Sequence, residues 1–161
     1  MKIRIKSKAV AIFAALFLAG CGNSDEIERF GADVDAFCCI ISDISYLIDC
    51  VDAESDNAVD ELLEYIDQLD AEFQEFAELD FPEEFDYLEA VADEASEYMT
   101  VATESFRDAY TNESYDEEMF MAEYEYARQN EARAYKRIQI IITLLNGEDP
   151  VEAGLATASE E

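Results

Sequence analysis

Along most of this chain the apolar residues return every third or fourth position. From Asp25 the series runs Ile27, Phe30, Val34, Phe37, Ile41, Ile44, Ile48 and Val51, alternating three and four without a slip. That spacing predicts an amphipathic helix packed in a bundle or coiled coil. Its second half is apolar on more than one side, because Phe37 to Val51 is interrupted only by Ser42, Asp43, Ser45 and Asp49. Such a segment is expected to be covered on two faces, inside the bundle or against another protein. After a polar stretch, Val59, Leu62, Ile66, Leu69, Phe73 and Phe76 repeat the pattern and predict a second helix to about Leu79. Asp80-Phe81-Pro82-Glu83 is a break and restart, with Asp80 and Glu83 spaced as a capping box.

The third seam is Phe85, Leu88, Ala92, Ala95, Met99, Ala102, Phe106 and Ala109, rich in small residues that let neighbouring helices come close. A fourth helix is predicted from about Tyr115 to Asn146, with Phe120, Tyr124, Ala127, Ala134, Ile138, Ile141 and Leu145 inside and Glu131 where an apolar residue belongs. Capping boxes are read at Asn23 with Glu26 and at Ser114 with Glu117, and Asn146-Gly147 followed by Pro150 is a helix stop. No strand pattern is present. The fold class is therefore all-α: an up-down four-helix bundle with coiled-coil-like packing over residues 25–147, with a flexible acidic tail at 148–161. A three-helix core with one mobile helix is the alternative.

The first 20 residues stand apart from this pattern. Lys2, Arg4, Lys6 and Lys8 precede an uncharged apolar run from Ala9 to Ala19, of signal-peptide length and too short to span a bilayer as a helix. At its end stand Leu18, Ala19, Gly20 and Cys21. This stretch resembles the signal peptide and lipobox of bacterial lipoproteins; the likeness covers residues 1–21 only. The resemblance implies cleavage before Cys21, a diacylglyceryl thioether on its sulfur, and a short tether at 21–24. The other reading is an ordinary secretory peptide with a chance cysteine. A single acyl chain holds only marginally, at about 0.8 kcal/mol per buried methylene, so two or three chains are needed for a stable anchor. The implied place is the cell envelope: the outer membrane in a Gram-negative host, where Gly22 fits the sorting pattern, or the outer face of the plasma membrane in a Gram-positive one.

Charge narrows the partners. Cleavage would remove four bases and no acid, taking the formal net charge from −30 to −34. Nucleic acid and anionic lipid surfaces would be repelled. Basic proteins, cationic peptides or divalent cations are favoured, against the plainer reading of a heavily solvated surface or an adaptation to salt.

Chemistry is bounded mainly by what is missing. The chain has no histidine, which removes most haem, zinc, di-iron and Ser-His or Cys-His sites. No glycine-rich phosphate loop is present, no cofactor is implied, and no enzyme activity is expected. Cys38, Cys39 and Cys50 all lie in the first helix. Cys38 and Cys50 are twelve residues apart, about 18 Å along a helix, far beyond disulfide reach. They read either as small core residues or, for Cys39 and Cys50 with Tyr46 on the same face, as an interface to a second copy or another protein. Asp52, Glu54, Asp56 and Asp60 partly resemble a calcium loop, but Asn57 replaces the turn glycine and Leu63 the bidentate glutamate; an acidic joint is the plainer reading. Arg128, Arg133, Lys136 and Arg137 gather on the fourth helix, either complementing its dipole and pairing with acids or forming a membrane-proximal basic patch. The sequence thus leads to a non-enzymatic, membrane-anchored acidic envelope lipoprotein that binds or scaffolds another component. The alternatives are an inhibitor or immunity protein masking a basic toxin or enzyme, and a low-affinity divalent-cation binder.

Overall fold

The computed structural model describes residues 24–112 and 116–155; the lipobox with Cys21, and the cap residues Asn23 and Ser114, lie outside them. Among the described residues the chain is all-helical, with four helices and no strand: α1 (Ser24–Cys50), α2 (Ala58–Ala77), a 3₁₀ turn (Asp86–Leu88) leading into α3 (Glu89–Thr111), and α4 (Glu117–Leu145).

The three-and-four seams are the buried faces. On α1, Ile27, Phe30, Val34, Phe37, Ile41 and Ile44 are buried, and on α2 so are Leu62, Ile66, Leu69, Phe73 and Phe76. Each buried large apolar side chain contributes roughly 1.5–3 kcal/mol, and this burial must hold α2 together, since every charged residue from Asp52 to Asp80 is an acid. Phe37 stacks on Phe76 at 4.3 Å and meets Phe73 edge-on at 5.3 Å. Phe30 lies 4.7 Å from Phe81, which ties the joint after α2 into the core.

Consecutive helices run antiparallel, as their partners show. Asp70 accepts from the Thr100 hydroxyl at 2.8 Å while Asp67 pairs with Arg107. Arg137 donates to Glu94 at 2.6 Å at one end of the α3–α4 pair, and Tyr110 meets Phe120 at the other. Backbone contact is most extensive between α3 and α4, and Ala92, Ala95, Ala102, Ala127 and Ala134 of these two helices are fully buried. Small side chains leave nothing to hold the two backbones apart. Helix α1 has the least extensive backbone contact with its neighbours. A side-chain contact joins it to α4: the Ser45 and Tyr135 hydroxyls are 3.2 Å apart.

The helix ends depart from the expected caps. Asp80 and Glu83 do not open α3. The chain turns first through hydrogen bonds from the amides of Phe85 and Leu88 to the carbonyls of Pro82 and Phe85, and α3 follows with Leu88 at its N-cap and no side-chain cap. Burial of Phe81 and Phe85 sets this geometry, so the helix starts where the aromatics allow. For α4, Asp116 is the cap, accepting from the Met119 amide at 2.9 Å. The stop at Asn146-Gly147 is as expected. Gly147 takes φ +73°, and the amides of Gly147 and Glu148 bond back to Leu144 and Thr143, the paired bonds of a Schellman motif. Within the tail, Pro150 to Leu155 close one further turn, with Gly154 at φ +74°.

Candidate functional site

Helix α1 carries apolar residues on two opposite faces, the outer series interrupted by Asp43. The inner one is buried; the outer one is in solvent. At 100° per residue, Ala32, Ala36, Cys39, Asp43, Tyr46 and Cys50 fall on one line with spacings of four and three, and all are exposed. Ile40 and Leu47 flank that line, 40% and 39% exposed, and Tyr46 is 67% exposed. From Ala32 to Cys50 the stripe is about 27 Å long at 1.5 Å per residue. The Cys50 side chain, first as hydrogen-bond partner, holds the Tyr46 phenol above its ordinary pKa. Of the three thiols, Cys39 and Cys50 are exposed, while Cys38 is buried and its thiol is pushed up to about 12 by burial, then by Asp35 and Cys39. The structure therefore divides the cysteines: one core residue, and two on the outer face with Tyr46.

A second cluster lies inside. Arg128 and Glu131, one turn apart on α4, form an ion pair. Burial raises the pKa of Glu131, and Arg128 opposes this. Around them stand Ser45 from α1, Tyr110 from α3, and Tyr124 from α4. Tyr135, hydrogen-bonded to Ser45, is pushed up to about 12 by burial, and so is Tyr110, whose hydroxyl is buried with no partner among the described residues. The cavity here is about 30 Å³, room for one or two water molecules and too small for an organic substrate. Its polar groups fill the seat that the apolar spacing leaves at Glu131.

The bases of α4 divide between two settings. Arg128 turns inward to Glu131, whereas Arg133 and Arg137 lie over the Tyr98 ring at 5.6 and 5.9 Å, and Arg137 also pairs with Glu94. Lys136 is half-buried between them. None is in the last turn of α4, so pairing with acids and an aromatic, not dipole complementation, accounts for Arg128, Arg133 and Arg137. A shallow groove of about 770 Å³ opens beside Arg137, between Tyr87 and Val91 of the third segment and Ile140 and Leu144 of α4.

The acidic joint is a set of turns. Asp52 accepts from the Glu54 amide at 3.0 Å and Asp60 sits in the first turn of α2. Among the described residues no three acid or thiol side chains converge to hold a metal ion, so Asp52, Glu54, Asp56 and Asp60 are not brought together. No helix of the described residues is long and apolar enough to cross a membrane.

Sequence reasoning on Cys39, Tyr46 and Cys50 missed Ile40 and Leu47, which widen the face. Their seven-residue separation, beside a second three-and-four series offset from the core seam, was the available signal. Compared with known protein families, curated proteins and solved structures, the chain matches none.

Proposed function

We propose that this chain is a non-enzymatic binding or scaffold module, an up-down four-helix bundle with coiled-coil-like packing held at a bacterial envelope membrane by lipid on Cys21. The observation that carries the reading is the outer stripe of α1. A helix that keeps Ile40, Tyr46 and Leu47 exposed opposite a buried seam has apolar side chains beyond those its own fold buries, and exposed apolar side chains gathered on one face are a mark of interaction sites. A position close to the bilayer follows from the few residues between Cys21 and α1. The −34 charge after cleavage supports a second reading, an inhibitor or immunity protein for a basic enzyme or toxin, since complementary charge raises association rates.

Crosslinking the lipidated protein in its own cells, at low and high salt, tests both. Capture of one basic protein that is lost at high salt selects the inhibitor. Salt-independent capture of itself or of an abundant wall or membrane component selects the scaffold. Recovery of the monomer alone under both conditions would sink the binding function.

A further inference from the structure

The outer stripe has the layout of a coiled-coil seam without its second strand. Ala32, Ala36, Cys39, Asp43, Tyr46 and Cys50 occupy alternating first and fourth heptad positions. The flanking positions hold Asp33, Ile40 and Leu47 on one edge and Asp35, Ser42 and Asp49 on the other. Apart from Arg29, which continues the stripe one step before Ala32, every charged residue from Glu28 to Asp52 is an acid, and Arg128, on the neighbouring stretch of α4, is already paired with Glu131. In coiled coils the flanking charges choose the partner: like charges across the seam repel and opposite charges select.

We infer that the outer stripe of α1 docks a single helix of another protein, one with apolar residues every third or fourth position and lysine or arginine along the edges that meet Asp33, Asp35 and Asp49. Asp43, mid-seam, faces a basic or hydrogen-bonding side chain of that helix. A second copy is the poorer occupant, because it would bring its own aspartates to the same edges and a further net charge of −30 or more. The inference rests on the binding-module reading and adds the place and the chemistry of the partner. The small alanines let the partner approach closely near the start of the stripe, and Tyr46, Ile40 and Leu47 supply the apolar anchors near its end.

The test uses the full-length protein in detergent with two synthetic helical peptides of about three heptads, sharing a leucine seam and differing only in lysine or glutamate at the flanking positions. The lysine peptide is expected to bind, with affinity falling about tenfold or more as salt rises through the range where the Debye length drops from about 10 Å to about 3 Å. It is also expected to slow maleimide labelling of Cys39 and Cys50. The glutamate peptide should do neither. Replacing Tyr46 and Leu47 together by Ser should weaken the lysine peptide about tenfold, whereas Tyr87→Ser, at another exposed aromatic outside α1, should leave it unchanged. Binding insensitive to the α1 substitutions would overturn the inference, since the acidic surface at large would then be responsible. So would a stable dimer through α1 that the peptide cannot displace, or no binding by either peptide. Crosslinked capture in cells that survives the Tyr46 and Leu47 substitutions would reject this seam while leaving the binding function standing.

Discussion

Helices α4 and α1 solve the same problem in opposite ways. Each carries more than a simple buried stripe demands. In α4 the surplus is polar and is absorbed within the chain: Glu131 by Arg128, Arg137 by Glu94, and Arg133 by the Tyr98 ring. In α1 the surplus is apolar, and nothing in the described residues covers it. The difference teaches that a buried-looking sequence can mark a contact made outside the fold, while a charge in a core position can be a contact completed inside it.

Alkaline titration should give the largest effect. Cys38, Tyr110 and Tyr135 are each pushed up to about 12, from 9.0 for the thiol and 10.0 for the phenols, mainly by burial. The folded state favours their protonated forms, so their contribution is complete below pH 9 and is lost as the pH climbs from there towards 12. The loss is on the order of several kcal/mol in total, read as a fall in melting temperature over that window. If stability stays flat to pH 12, the core around these groups is open to water.

Next in size is Phe73→Ala. Its ring, fully buried and in edge contact with Phe37 and Tyr135, touches both α1 and α4. Denaturant unfolding should show a loss of about 3–5 kcal/mol. Ala95→Leu tests the tight side: at a fully buried alanine of α3, a larger side chain should destabilise by about 1–3 kcal/mol despite adding apolar surface. No loss there would mean the alanines are not what sets the helix spacing.

The ion pair should respond unevenly. Arg128→Met leaves Glu131 charged in a buried seat, while Glu131→Gln leaves an arginine that reaches solvent, so the first should be the more damaging at neutral pH. Because the Glu131 pKa is raised in the fold, its neutral form is the one the core favours, and lowering the pH towards the ordinary carboxylate range should relieve the Arg128→Met variant. Equal losses at every pH would point to packing instead of charge. The smallest effect is the sharpest contrast. Leu47→Ser should change the stability of the chain by no more than about 0.5 kcal/mol, although the matching change at buried Ile41 should be severe.

How much of this was legible in the sequence differs by element. The seams were, because a three-and-four alternation fixes which residues share a face: the Phe85 to Ala109 series is buried at each position. Depth was not. Val59 opens its seam yet is exposed, lying in the first turn of α2 before its neighbours close over it. The caps were misplaced because acids and hydroxyls crowd both joints, and short-range rules cannot choose among them. Phe81 and Phe85 decided one start by burial, and Asp116 took the other by hydrogen bonding. Asn130 was missed altogether. It is buried and satisfied within its own helix, donating to the Tyr126 carbonyl at 2.9 Å and accepting from Arg133 at 3.3 Å, bonds invisible to periodicity. The candidate face was half visible, since the second apolar series could be read but its exposure could not.

Cys38 and Cys39 are adjacent in sequence, one 7% exposed and turned into the core, the other on the surface. The pair is a clock with two hands. A thiol reagent should modify Cys39 at the rate of an exposed thiol for as long as the outer stripe is bare. It should reach Cys38 only after α1 has lifted from its neighbours, so the interval between the two modifications on one molecule measures how long this helix stays seated.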